Sequence, residues 1–170
     1  MTDRALTLAS KVLRSYDDAT FALLAEVSGR RTARISLRVL DWFVTSYARR
    51  FDTNYAFGGG RVFVFHEYKA MLKSYSKAHF DPFCRRARLF VDTKRRCAVA
   101  GPAGGDVIAT TTGQLNFFLW AVQRGVLTYS ASIIDAIEKD LSQTGGRTAH
   151  AAWCRHAMLS VAAPVTVSFE

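Results

Sequence analysis

The chain has 170 residues, of which 49% are hydrophobic and 12% aromatic, so it can bury a core and is not disordered over its whole length. Its 23 lysine and arginine residues outnumber its 14 acidic residues, and the net charge of +9 favours an anionic partner. The three cysteines are odd in number and widely spaced, which excludes a disulfide framework and a paired CxxC metal site.

The first 32 residues contain apolar side chains without a clean period. We interpret residues 1–32 as an N-terminal arm or short helix and residues 33–170 as a single domain. Early charged residues, such as Asp3 and Arg4, argue against a secretion signal. The most apolar run, residues 115–122, is far shorter than the roughly 20 residues that cross a bilayer. We therefore expect no membrane span and a location in the cytoplasm, the nucleus or a particle assembled there.

The segment from Leu37 to Phe51 carries apolar residues at spacings of three and four, which predicts an amphipathic helix. The triple glycine 58–60 interrupts regular structure. The β-branched and aromatic run from Arg61 to Phe65 then predicts a buried strand.

A second helical period runs from Tyr68 to Tyr75, and we expect Asp81–Pro82 to end this helix, because the residue before proline disfavours the α conformation. A second strand is predicted from Arg88 to Val91. Three basic residues and the glycine-rich loop 101–105 follow it.

The pattern of the last third of the chain predicts helices followed by a strand. Thr111 and Gln114 fit a capping box that opens a helix, which Gly125 closes. Ser130 fits the N-cap of another helix over residues 133–141. A further helix is predicted around residues 153–158 and a terminal strand over 164–169. The fold class expected is α+β: a helix-rich single domain with a small sheet of short strands.

Charge is concentrated in the middle third, since residues 61–97 sum to +7, against +3 before them and −1 after them. Long cationic side chains, several of them arginine, suit an anionic surface, and interleaved aromatic rings can stack on bases. The alternatives are a nucleic acid, an acidic protein, or solubility alone. The anion-binding candidates are Lys69, Lys73, Lys77, Arg85, Arg86, Arg88, Lys94, Arg95 and Arg96. The stacking candidates are Tyr68, Tyr75 and Phe83.

Residue types that carry catalysis or bind metals are present but do not form a recognisable motif. The thiols and imidazoles that zinc prefers show no short repeated spacing; these residues are His79, Cys84, Cys97, Cys154 and His156. The glycine-rich segments lack the lysine and hydroxyl of a P-loop, and no carboxylate pair stands out for acid–base chemistry. We expect no catalytic residue, no metal and no cofactor.

Four stretches, Ile35–Thr45, Tyr68–Lys77, Phe80–Arg86 and Thr111–Phe118, resemble a family of small basic proteins of nucleocytoplasmic large DNA viruses. The resemblance covers residues 33–142 and the closing segment 159–169, and Phe80–Arg86 is its most specific part. The family is largely uncharacterised, so the resemblance implies a viral context and no catalytic residue. Members tend to carry a basic tract before the last strand, whereas residues 146–156 of this chain contain only Arg147 and Arg155.

Together these observations favour a small basic structural protein of the virion, either a minor capsid protein or an internal scaffold. Its cationic face would adhere to an acidic capsid surface or to the packaged genome, with capsid or other virion proteins as partners. The alternative is a nucleic-acid-binding protein in genome condensation or viral gene expression. DNA binding and homo-oligomer formation stay open at this point.

Overall fold

Short helices and strands alternate along the chain in a computed structural model, which describes residues 3–28, 35–76, 78–83, 88–99, 101 and 107–144. The helices are α1 (Asp3–Leu13), α2 (Asp18–Ser28), α3 (Leu37–Trp42), α4 (Ala48–Arg50), α5 (Val64–Tyr75), α6 (Thr112–Gln123), α7 (Val126–Ser132) and α8 (Ile134–Thr144). The strands are β1 (Asn54–Phe57), β2 (Gly60–Phe63), β3 (Leu89–Asp92), β4 (Cys97–Val99) and β5 (Val107–Thr110). The predicted helix-rich α+β class is confirmed.

The strands form two small antiparallel sheets. β1 and β2 make a hairpin whose turn is Gly58–Gly59, with φ angles of 59° and 78° that only glycine adopts readily. The other sheet has the order β4-β3-β5. The sequence predicted β2 and β3 in nearly the right places. It missed β1, β4 and β5, which adjoin segments interpreted as loops.

The described part of the N-terminal segment, interpreted as an arm or short helix, forms two helices that contribute to the core. Helices α1 and α2 pack on α6 and on the β4-β3-β5 sheet, and they bury Leu13, Phe21 and Leu24 in the same hydrophobic cluster as the rest of the chain. The hydroxyl of Tyr16 donates a 2.6 Å hydrogen bond to the carbonyl oxygen of Leu115. The apolar period of this segment was obscured because two short helices replace one long one.

The predicted amphipathic helix over residues 37–51 is present, with a change of helix type in its middle. Ser36 caps α3, and a π-helical segment, Phe43–Tyr47, connects α3 to α4. Phe43 and Val44 of that segment are fully buried. The indole of Trp42 donates a 2.8 Å hydrogen bond to Asp140, which fastens this helix to α8.

Helix α6 is buried along most of its length and lies at the centre of the molecule. Its predicted cap, Thr111, accepts a 3.1 Å hydrogen bond from the backbone N–H of Gln114. The Gln114 side chain does not complete the capping box. It accepts from the hydroxyl of Thr110 and donates to the carbonyl oxygen of Pro82, both at 2.9 Å. Gly125, at φ 66°, ends the helix as predicted.

Residues 78–83 lie directly against the start of α6. The Asn116 amide donates to the carbonyl oxygen of His79 at 2.9 Å, and the N–H of Asp81 donates to the carbonyl oxygen of Gly113 at 3.2 Å. Helix α5 ends at Tyr75, well before Pro82, because Ser76 takes a φ of 63°. The predicted end at Asp81–Pro82 was therefore too late.

The helices after α6 differ from their prediction at one cap. Ser130 is not an N-cap: it is buried within α7 and its hydroxyl donates to the carbonyl oxygen of Leu127. The helix predicted over residues 133–141 is α8, which begins at Ile134. The helix around residues 153–158 and the strand over 164–169 lie outside the described residues.

Gly113→Ala should destabilise the protein, because a Cβ there would lie 3.1 Å from the carbonyl oxygen of Ala78 and 3.3 Å from the backbone nitrogen of Phe80. Backbone atoms cannot move aside cheaply, so we expect a loss of about 1–3 kcal/mol in the free energy of unfolding. Denaturant titration measures it. The control is Gly60→Ala, whose Cβ has no atom nearer than 4.0 Å; equal losses in the two variants would contradict this packing.

Tyr16 should make the fold sensitive to alkali. Burial raises the pKa of Tyr16 above its usual value of about 10, so the neutral phenol stabilises the folded state below that pH. The contribution is lost as the pH rises through the folded-state pKa. We expect Tyr16→Phe to lower the free energy of unfolding at neutral pH by about 1 kcal/mol, because the hydrogen bond is lost. We also expect the free energy of unfolding of this variant to fall less steeply with pH above about pH 10.

Chemical unfolding at pH 7 and at alkaline pH, followed by circular dichroism, measures both effects. Tyr75→Phe is the control, because 42% of Tyr75 is exposed. An unchanged alkaline slope in Tyr16→Phe would show that this hydroxyl does not set the pH dependence.

Candidate binding surface

The predicted anion-binding residues of α5 are on its solvent-exposed side. Val64 and Tyr68 of this helix are buried, which fixes its rotation, and Lys69 and Lys73 are then exposed one turn apart. Neither lysine forms an ion pair with a described residue. Lys77, which would continue the row, lies outside the described residues. The α5 lysines therefore present their charge to solvent.

The remaining basic candidates that the structure describes are on the β4-β3-β5 sheet. Lys94, Arg95 and Arg96 form the turn between β3 and β4, and Arg88 precedes β3; all four side chains are exposed. This sheet packs on α1 and α2, whereas α5 packs on the π-helical segment, α4 and β2. The candidates are thus divided between two elements with different packing partners. Arg85 and Arg86 lie outside the described residues.

Part of the positive charge at the β3–β4 turn is balanced locally. Asp92 accepts backbone hydrogen bonds from Arg95 and Lys94, each 2.9 Å long, and these bonds lower the pKa of its carboxyl group. The Arg96 guanidinium lies 2.5 Å from a carboxylate oxygen of Asp18 and 5.3 Å from the centre of the Phe21 ring. The turn therefore presents a weaker positive field than its sequence indicates.

The three stacking candidates differ in accessibility. The ring of Tyr68 is buried against Phe80, Phe117 and Trp120, so this residue serves the core and offers no face to a base. Phe83 is partly buried. Tyr75 is exposed, although its ring stacks on Phe80 with 6.0 Å between centroids. Helical spacing alone does not distinguish a buried aromatic residue of α5, such as Tyr68, from an exposed one, such as Tyr75.

Sequence reasoning missed an exposed aromatic ring on the β1–β2 hairpin. Strand register places Asn54, Ala56, Arg61 and Phe63 on one face, because Asn54 pairs with Phe63 and Ala56 with Arg61. Phe63 is 40% exposed, and the Arg61 Nε donates a 2.7 Å hydrogen bond to the Asn54 side chain. The run from Arg61 to Phe65 was predicted to be a buried strand, but Val62 is the buried residue of β2, and Val64 and Phe65 begin α5.

A groove between α5 and α6 was also missed. Its volume is about 370 Å³, and it is lined by Glu67, Ala70, Met71, Tyr75, Asn116, Leu119, Trp120, Gln123 and Arg124. No sequence signal connects these residues, because they come from two helices separated by about forty positions and meet only when the helices pack.

An ion pair closes one end of this groove. The Arg124 guanidinium donates two hydrogen bonds to the Glu67 carboxylate, at 2.7 and 2.6 Å. The hydrogen bond with Glu67 raises the pKa of Arg124. The hydroxyl of Tyr55 donates to the Arg124 carbonyl oxygen at 2.8 Å, and burial followed by the Glu67 charge raises the pKa of Tyr55. The groove thus has a polar, ordered end.

Within the described ranges, no three His, Cys, Asp or Glu side chains are grouped so that they could hold a metal ion. Likewise, no helix in the described part of the chain combines the length and apolar character needed to span a bilayer.

Comparison with known proteins identifies the family. Residues 8–153 match the family of unknown function DUF7197. The chain belongs to this family. It is also 35% identical, over 117 residues, to an uncharacterized protein of Acanthamoeba polyphaga mimivirus; the match spans 65% of this chain and 42% of that relative's length. No solved structure matches the chain. A relative in a large DNA virus supports the viral context that the resemblance implied.

The Glu67–Arg124 pair should contribute modestly to stability, because both side chains are partly exposed. A double-mutant cycle with Glu67→Gln and Arg124→Gln should give a coupling energy of about 0.5–1 kcal/mol that shrinks as salt is added. Urea unfolding at low and high salt measures it. A coupling near zero at low salt would contradict the bidentate geometry.

Proposed function

We propose that the chain is a structural protein of the virion, a minor capsid or internal scaffold protein, and not an enzyme. Its exposed cations attach it to an acidic surface of another virion protein or to the packaged genome. It acts in the host cytoplasm or nucleus during assembly and remains in the particle. The viral relative supports the context, and the net charge of +9 supports an anionic partner.

One observation carries the proposal: Lys69 and Lys73 are exposed on a helix that the core holds rigidly, and neither is paired with a described acidic residue. A charge held at a fixed place on a surface steers and orients an anionic partner without an entropic cost for ordering the backbone. By contrast, the cations of the β3–β4 turn are partly balanced by Asp18 and Asp92. We therefore assign the main attachment to α5.

Reversing the α5 charges should prevent attachment. We expect the double variant Lys69→Glu, Lys73→Glu to be depleted from purified virions at least about tenfold, because like charges repel an acidic partner by several kcal/mol. The control is Lys11→Glu, Lys139→Glu, which changes two exposed lysines on other helices by the same net charge. Quantitative mass spectrometry of purified particles gives the measurement.

Equal incorporation of the two double variants would contradict an attachment through α5. Absence of the wild-type protein from purified particles would overturn the structural role itself. Circular dichroism of both variants confirms that they fold.

A second function, nucleic-acid binding in genome condensation or gene expression, is favoured by Phe63. Its exposed ring shares the outer face of the hairpin with Arg61, and a ring beside a guanidinium suits a stacked base next to its phosphate.

Binding of a labelled single-stranded oligonucleotide tests this alternative by fluorescence anisotropy at increasing salt. We expect Phe63→Ala to weaken binding by about 1–2 kcal/mol and affinity to fall steeply with salt. Leu8→Ala is the control, because Leu8 is also 40% exposed. No binding at low salt would remove this candidate.

A further inference from the structure

The groove between α5 and α6 has a length that matches two turns of helix. Glu67, near the start of α5, bonds to Arg124, just after α6, whereas the other ends of the helices meet through residues 79–80. The two helices therefore run in opposite directions along the groove. The eight steps from Glu67 to Tyr75 rise about 12 Å, close to the span between anchors at i and i+7 of a bound helix.

The floor of the groove is apolar and adaptable. Met71 and Leu119 face it, and Trp120 lines it while only 4% exposed. Methionine adjusts to irregular apolar surfaces, as it does in sites that receive amphipathic helices. The Trp120 Nε1–H is buried without a hydrogen-bond partner among the described residues, so it is a donor that an oxygen of an occupant could satisfy.

The rim of the groove on α5 carries a lysine. Ala70 is an exposed residue at this rim, and Lys73, which has no ion-pair partner among the described residues, lies one turn after it on the helix. Helix α6 contributes no acidic residue, and the Glu67 carboxylate is already bonded to Arg124. An occupant would therefore meet an apolar floor with positive charge along one edge.

We infer that this groove receives an amphipathic helix of a partner protein, with apolar anchors at i, i+3 or i+4, and i+7, and with Asp or Glu on the flank that faces α5. Charge complementarity with the α5 rim selects this occupant over a basic segment or a second copy of a chain with net charge +9. The inference rests on the proposed attachment to an acidic protein and specifies the element of that protein which docks.

Site-specific photocrosslinking in infected host cells tests the inference. A photoreactive p-benzoylphenylalanine replaces Ala70 in the full chain, and the control replaces Ala136, an exposed alanine on α8. We expect Ala70 to crosslink to a partner segment with the stated apolar spacing and an acidic flank, and Ala136 not to crosslink to it. Crosslinks to nucleic acid, to a basic segment or to another copy of this chain would overturn the inference. The inference would also be overturned if the photoreactive residue at position 70 crosslinked no polypeptide more strongly than the one at position 136.

A synthetic peptide of the crosslinked segment then gives the affinity. Met71→Gln, which places a polar side chain of similar size on the groove floor without changing charge, should weaken binding about tenfold, whereas Ala136→Gln should leave it unchanged. Trp120→Phe, which keeps a ring but removes the N–H donor, should weaken it by a few-fold. Equal affinities of Met71→Gln and Ala136→Gln would overturn the groove as the site.

The two proposals fail in different ways. Loss of virion incorporation in the lysine double variant together with no crosslink at Ala70 would leave the attachment role standing and remove the groove. A helix that crosslinks at Ala70 but belongs to a protein absent from virions would leave the groove standing and remove the attachment role.

Discussion

A buried helix that carries polar side chains constrains the whole molecule. α6 is enclosed by α1, α2, α7 and the residues before β3, yet it contains Gln114 and Asn116, whose amides must find partners away from water. They find them in the carbonyl oxygens of Pro82 and His79. Gly113 allows that backbone to approach closely. The segment 78–83 is therefore fixed by the hydrogen-bonding needs of the helix it covers, and α5 is positioned in turn.

This arrangement explains two of the stretches by which the chain resembles viral proteins. Phe80–Arg86 and Thr111–Phe118 are separated in sequence, but their described parts meet through the Gln114 bond to Pro82 and the ring contact of Phe80 with Phe117. The residue types of these described parts satisfy a packing requirement. The basic candidates that the structure describes are exposed on the surface around this core.

The candidate surface combines charge and shape that arise from different sources. The lysines of α5 are exposed because Val64 and Tyr68 on the opposite side are buried. The groove beside them exists because α5 and α6 are held apart by large aromatic rings, among them Tyr68 and Trp120 at 6.2 Å. The exposed lysines and the apolar groove therefore share one helix, α5.

Local spacing and local backbone preference were enough to predict the helix-rich α+β class, the strand at β3, the cap at Thr111 and the helix end at Gly125. A count of charges along the chain also showed that the excess positive charge lies in the middle third. The packing of the folded chain established that residues 3–28 join the core, that Tyr68 is buried, and that Arg96 is paired with Asp18. The same packing formed the groove between α5 and α6. Each of these depends on contacts between residues distant in sequence, about which a one-dimensional pattern carries no information.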